Sequence, residues 1–334
     1  MIMKNKNKGI ISIAMVFGVG FFALAMALTM SIRSLAETVK NNDNKRGNET
    51  FYLSESAMRE GYYQYENNPS YEGSASIFPG ISASTTIAEN WPYIEVIGVA
   101  ERKQANRKTV YKVVSGGAAL NCAAYSSHVI DLKSNAAEII GNVYAGDEIK
   151  DPHDNVTEGL KLTSADVYIP APIIDIAPYI SESPMEYSAA EASQGIEDGS
   201  INNSVVYVND SGETKIEGGS DPIDFNGSLV TTGSLRINSG KLSALGNRVA
   251  IYVEGDLYLE GNVEINGIVY VKGFTKITGN GNKITGSLIS VGAIETTDLS
   301  GSITIDFDEN LSEVWSELAG LRASSPEIIS WEER

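Results

Sequence analysis

The sequence predicts a mainly β protein: a parallel β-solenoid, preceded by an N-terminal transmembrane helix, a stalk helix and a β-hairpin, with a C-terminal capping helix. Three observations predict it. Short apolar runs between residues 226 and 307 are punctuated by Gly or Asn-Gly, residues 10–30 carry no charge, and an amphipathic pattern over 309–322 follows the last run.

The phrases Leu229-Val-Thr-Thr-Gly233, Ile251-Tyr-Val-Glu-Gly255, Val269-Tyr-Val-Lys-Gly273 and Leu288-Ile-Ser-Val-Gly292 are variants of one unit recurring about every 18 to 22 residues, a solenoid period. Between the glycines the apolar residues alternate: Ile251/Val253, Leu257/Leu259, Val263/Ile265, then Ile284, Leu288, Ile294 and Ile303/Ile305. Alternation with β-branched enrichment predicts short strands with one face inward. Asn226-Gly227, Glu260-Gly261-Asn262, Asn266-Gly267, Gly279 to Asn282 and Ser300-Gly301 are read as turns that use positive φ. A coil of this length cannot bury its own apolar face, so the coils must stack at the strand spacing of roughly 4.8 Å. An antiparallel sandwich of hairpins competes, because Asn-Gly is also a hairpin signal; recurrence of one phrase favours the solenoid. In Ile268-Val-Tyr-Val271 both alternating sets are apolar, which leaves the inward set open.

Composition narrows the function classes. The 334 residues are 42% hydrophobic and 20% charged, with 32 Gly, ordinary for a turn-rich globular chain. A net charge of −18 speaks against nucleic-acid binding, which needs a basic footprint. One cysteine, Cys122, excludes an internal disulfide and reads as a buried filler, and His128 and His153 give little material for a metal site.

At the N-terminus, Lys4, Lys6 and Lys8 precede the 21 uncharged residues Ile10 to Met30. As a helix they reach about 31 Å, the hydrocarbon thickness of a bilayer. The lysine bias predicts a cytoplasmic N-terminus and an extracytoplasmic remainder. A cleaved secretory signal ending at Ser34-Leu35-Ala36 is the competing reading; the apolar run is longer than signal sequences use.

The chain then divides into a tail and membrane helix (1–33), a stalk helix (34–68), a loop and hairpin (69–116), first solenoid coils (117–149), a proline-rich excursion (150–204), the main solenoid (205–308) and a capping helix with tail (309–334). In the stalk, Phe51, Met58, Tyr62 and Tyr65 share a face, and Asn41 to Gly47 predicts a weak break. Residues 69–90 read as loop. Tyr93 to Ala100 and Thr109 to Val114 form the hairpin, whose tip carries Arg102, Lys103, Arg107 and Lys108. That tip is either a solvated turn or a basic contact for an acidic patch of a neighbouring copy. The excursion holds Pro152, Pro170, Pro172, Pro178 and Pro184 and is expected along the solenoid flank. Helix 309–322, capped by Asp308, presents Leu311, Val314, Trp315, Leu318 and Leu321 to cover an open coil, and Ile328 to Trp331 can add a strand.

The basic N-terminus ending in Gly9, the apolar segment and the downstream Phe51-Tyr-Leu-Ser-Glu-Ser-Ala-Met-Arg-Glu-Gly61 resemble the N-terminal region of PilX-type pilus-assembly proteins, relatives of type IV pilins. The resemblance covers about residues 1–65 and implies prepilin-type processing between Gly9 and Ile10. Ile10 and Ala14 stand where pilins carry an aromatic residue or Met and a Glu. The Gly-punctuated region is similar to β-solenoid modules fused to such N-termini and, more loosely, to bactofilins. Together the resemblances imply a structural role in the cell envelope, with other pilin-like or envelope proteins, or further copies of the chain, as partners.

Chemistry is thinly supplied. Asp221, Asp224, Asp298, Asp306 and Asp308 are the carboxylates most able to converge, for a hard cation or for sugar cleavage. No Ser-His-Asp set or phosphate loop is present. The expectation is a non-enzymatic, cofactor-free, single-pass membrane protein with no small-molecule substrate. A carbohydrate-binding or carbohydrate-cleaving β-helix and a bactofilin-like self-polymerising scaffold are the alternatives.

Overall fold

The computed structural model describes residues 6–67, 82–102, 105–114, 117–201, 204–218, 223–246, 248–296, 302–308, 321–322 and 327–333. Helix α1 (Lys6–Asn67) runs for 62 residues without interruption, about 93 Å at 1.5 Å per residue. The break expected at Asn41 to Gly47 is absent, and the apolar segment and the stalk are one rod. Asn and Gly each cost a helix at most about 1 kcal/mol, and with helix on both sides no new nucleus is needed.

From Thr50 onward α1 acquires a buried stripe, Thr50, Ser54, Ala57, Met58 and Gly61, at helical spacing. It packs on an antiparallel sheet of β1 (Ser82–Asn90), β2 (Tyr93–Arg102) and β3 (Ala105–Val114). The hairpin is as expected, with Ile94 opposite Val113 and Arg102 opposite Ala105. The loop expected over 69–90 is half corrected: 82–90 pair with β2 along their length, while 69–81 lie outside the described residues. Met58, Val96 and Val113 form the core of this head. Ser54 and Thr109 share a buried hydroxyl hydrogen bond of 2.6 Å. A Cβ on Gly98 would fall 2.0 Å from the Ser54 carbonyl oxygen and 2.8 Å from the Met58 nitrogen, so glycine is what lets the helix lie against β2.

The fourth strand of the head sheet is Glu327–Glu333, antiparallel to β3 with Trp331 opposite Tyr111. Residues 115–326 are therefore an insertion between the third and fourth strands of the head.

That insertion is a parallel β-solenoid of about eight turns. All the alternating residues expected to point inward, from Ile251 to Ile305, do so in one continuous core. The registers Leu229↔Ile251, Ile251↔Val269 and Val269↔Leu288 reproduce the coil spacing. Of the glycines expected at positive φ, Gly267, Gly279 and Gly281 take it, while Gly227 and Gly261 do not. Nor do the glycines of the repeated phrase, Gly233, Gly255, Gly273 and Gly292. These four stack at one corner, where a Cβ on Gly233 or Gly273 would lie 2.0 or 2.4 Å from the preceding coil's backbone oxygen. Space, not φ, selects glycine there.

The coil order is not the chain order. On the first face the rungs run Glu186–Tyr187, Val205–Val208, Ser228–Thr231, Ile251–Val253, 269–271, 288–290, Ala124–Ser126, Val143–Ala145, Lys161–Thr163. The chain enters mid-stack at Ala124, winds outward to Thr163, crosses back along the flank to Glu186, and winds inward until Leu288 pairs with Ala124. The same seam joins Ile294 to Ile130 and Ile303 to Ala137. The first coils thus extend to Thr163, past the boundary expected at 149, and Gly117–Leu120 is a helical turn (α2) before them.

The two ends are closed differently. α4 (Ala189–Glu197), which follows the short α3 (Ala177–Glu182), lays Ala189, Ala192 and Ile196 on the core. Its N-terminus has a capping box between Ser188 and Glu191, and the Ala189 N–H donates to Asp210 at 3.0 Å. At the other end Asp151 accepts from the N–H groups of Asn155 (2.8 Å) and Val156 (3.3 Å) and from Lys161 (2.7 Å). Of the expected capping helix 309–322, residues 309–320 lie outside the described residues, and Leu321–Arg322 are strand, paired with Ile173–Ile174. The coil that precedes it, 288–306, is flanked by coils on both sides and presents no open end.

Candidate functional surface

Among the described residues, the carboxylates expected to carry chemistry do not converge into a cluster. Gly9 and Ile10 lie within the backbone of α1, and their side chains are outside the described residues, as are Asp221 and Asp298. Asp224 pairs with Lys241, and Asp306 sits four rungs away on the same face, about 19 Å at strand spacing. Among the described residues no three His, Cys, Asp or Glu side chains are placed to hold a metal ion. His128 meets Asp147 at 3.3 Å on the surface, and His153 lies exposed in the Asp151 turn. Cys122 is fully buried, and burial pushes its thiol far above the usual range.

Several outward charges beyond the first face bond to one another. Arg236 pairs with Glu213 at 2.8 Å and with Glu260, and its guanidinium lies 4.4 Å from the centre of the Tyr258 ring. Lys241 meets Glu264 at 3.3 Å. A sugar ring would have to displace Arg236 to reach that face of Tyr258.

The first face is different, because the crossing segment 164–185 straps it down. Tyr252, Tyr270, Tyr125 and Tyr144 point outward from the apolar runs of this face, with Ile289 between Tyr270 and Tyr125, and are nonetheless buried. Tyr252 stacks on Tyr270 (centroids 5.3 Å) and Tyr125 on Tyr144 (5.2 Å). Their hydroxyls hold the strap: Tyr125 donates to the Ile169 carbonyl at 3.0 Å, Tyr144 accepts from the Ile169 N–H at 3.1 Å, and Tyr270 donates to the Pro172 carbonyl at 2.9 Å. From the strap's side, Tyr179 accepts from the Val249 N–H at 3.1 Å. This makes a second core outside the solenoid, with Val167, Ile169, Ile174 and Tyr179 laid over the tyrosines. It also settles the run left open in the sequence: Val269 and Val271 face the solenoid interior, Ile268 and Tyr270 the strap.

Burial pushes the Tyr270 phenol up to about 12, and Tyr125, Tyr144, Tyr179 and Tyr252 are raised for the same first reason. A phenol whose folded pKa exceeds its unfolded value of about 10 contributes stability that is fully present below pH 10 and is lost as pH rises through the folded value. Phenolate absorbance should therefore rise in a cooperative step above the ordinary phenol range that coincides with strap release; absence of such a step would contradict the buried ladder.

The strap's outer side is apolar where solvent-facing residues are usually polar. Tyr168, Ile173, Ile180 and Met185 are exposed, Tyr168 by 62% and Met185 by 55%. A longer exposed apolar surface is the N-terminal part of α1, where Phe17 and Phe21 are 75% and 77% exposed. α1 is long and apolar enough to cross a membrane. The strap's grip went unread in the sequence, although a signal existed: Tyr at the outward position of Ala124-Tyr-Ser, Val143-Tyr-Ala, Val206-Tyr-Val, Ile251-Tyr-Val and Val269-Tyr-Val.

Comparison with known proteins adds little about activity. Residues 230–299 match a family described as a domain of unknown function (DUF8470). No curated protein matches. Among solved structures, the chain is similar to the competence-associated pilin ComZ from Thermus thermophilus, at 13% identity and a TM-score of 0.30 over 86% of this chain and 97% of that one.

Proposed function

We propose that this chain is a single-pass, pilin-like structural protein of the cell envelope, with a cytoplasmic N-terminus, which displays the inserted solenoid outside the membrane as a non-enzymatic module. One observation carries the reading. A single unbroken helix is apolar and exposed at residues 15–30, then becomes the packed spine of an antiparallel head. Leaving Met15, Phe17, Phe21 and Phe22 in water forfeits about 1.5–3 kcal/mol each, so a bilayer or a bundle of like helices is their proper solvent. The PilX-type motif at Phe51 to Gly61 falls where the helix enters the head, which supports a pilus-assembly or minor-pilin-like role.

The test is membrane extraction and N-terminal sequencing of the native protein. Carbonate-resistant membrane or appendage association is expected, with a mature N-terminus at Ile10 wherever a prepilin peptidase is present. Release in carbonate, or turnover by residues 34–334 in a reducing-sugar assay, would overturn the reading. Bactofilin-like growth through both solenoid ends is disfavoured by α4, which covers the core at one of them.

A further inference from the structure

We infer that the outer side of the strap is a docking surface for the basic rim of the head of a second copy. The first observation is the division of charge. Residues 1–114 carry 13 basic and 10 acidic side chains, net +3, while residues 115–334 carry 12 and 33, net −21. The whole of the chain's net negative charge thus belongs to the inserted module and tail.

The second observation is how that charge is laid out. Residues 162–214, which include the strap and α4, hold nine carboxylates and no Lys, Arg or His in 53 residues. Within this stretch Asp166, Glu182 and Glu186 are exposed beside the apolar studs Tyr168, Ile173, Ile180 and Met185. A surface that combines exposed apolar side chains with one sign of charge fits a partner of the opposite sign, because like-charged partners are repelled.

The third observation supplies that partner within the chain. Lys45 and Arg46 on α1 and Arg107 on β3 are exposed around the point where the helix enters the head, and Lys108 is half-exposed beside them. The Arg107 guanidinium reaches over Gly47, where a Cβ would lie 3.8 Å from it, which ties the helix and strand contributions into one rim. In an array of parallel helices every copy brings both surfaces, and an arrangement of rim against strap repeats from copy to copy. This rests on the pilin-like reading for its setting but not for its chemistry.

Sedimentation of the full chain in detergent micelles tests it. Self-association should weaken as salt rises from 50 to 500 mM, since the rim and strap charges are exposed. Glu182→Lys with Glu186→Lys, and separately Arg107→Glu with Lys108→Glu, should each weaken association about tenfold, and mixing the two charge-reversed proteins should restore it to within about threefold. Glu182 also contacts Arg248, so Tyr168→Ser with Met185→Ser serves as a second strap variant that removes only apolar area and should weaken association without changing its salt dependence. Salt-independent association, or reversed pairs that fail to recover on mixing while circular dichroism shows them folded, would overturn the proposal. Failure of membrane extraction would count against the anchor reading and leave this result standing.

Discussion

Gly98→Val is expected to detach α1 from the head sheet. The missing side chain is what brings the Ser54 carbonyl and the Met58 backbone onto β2, and the nearest atoms to the new Cβ are backbone, at 2.0 and 2.8 Å. Neither a helix carbonyl nor a helix N–H can rotate away as a side chain would. The helix must therefore lift, which opens the contacts of Met58 with Val96 and Val113 and breaks the Ser54–Thr109 hydrogen bond. Overpacking a well-filled core typically costs about 1–3 kcal/mol, and a clash with rigid backbone sits at or above the top of that range. Hydrogen exchange of amides 50–61 in the solubilised full chain should rise by about a hundredfold, near 3 kcal/mol of lost protection, while the solenoid amides stay slow. Unchanged protection in the helix would mean that the close approach does not hold it.

Shortening the strap is expected to be still more damaging, and sharply so. The strap must return the chain from Thr163 at one end of the stack to Glu186 at the other. Eight rung spacings separate these positions on the first face, about 38 Å at roughly 4.8 Å per rung. The 22 residues 164–185 span this with slack, used by α3 and by the turns at either end. Removing 170–183 leaves eight, whose nine Cα steps reach at most about 32 Å. The two halves of the solenoid then cannot both pair at Ala124 and Leu288 and keep their outer coils. Loss of cooperative thermal unfolding is expected for this deletion. Excising only 181–184 leaves 18 strap residues, enough to span, and gives up the Ser183 hydrogen bonds to Tyr179 and Tyr207 and the Glu182–Arg248 ion pair, so cooperative unfolding should persist with Tm lowered by several degrees. Equal tolerance of both deletions would refute the crossing topology.

Much of the architecture was legible in the residues, for identifiable reasons. Coils were readable because each must hide its own alternating set, so Ile251/Val253 or Leu257/Leu259 declare an inward face without reference to neighbours. The hairpin β2–β3 was readable in the same way. The seam was not, because what joins Leu288 to Ala124 is backbone hydrogen bonding between interchangeable parallel coils, and no side chain marks which coil follows which. Strand β1, Ser82–Asn90, escaped because Ser-Ala-Ser-Thr-Thr has little apolar content, and its pairing is imposed by β2. The helix break was over-read from Asn41 to Gly47, where local propensity yields to the long helix on either side. Of the functional surface, the apolar anchor and the basic tip could be seen in the sequence. The strap's apolar studs could not, since telling outward Ile173 from inward Ile174 requires knowing what lies beneath.

Glu327–Glu333, the strand that completes the head, is separated in sequence from its neighbour β3 by the entire solenoid. During synthesis the long helix and the first three strands emerge early, but their sheet keeps one edge open until more than 200 further residues have been made. A chain interrupted anywhere in the solenoid therefore leaves a head with an unpaired edge, a form open to proteases and poorly suited to assembly. That strand works as a proofreading mark: only a chain synthesised through Glu333 can close its own head.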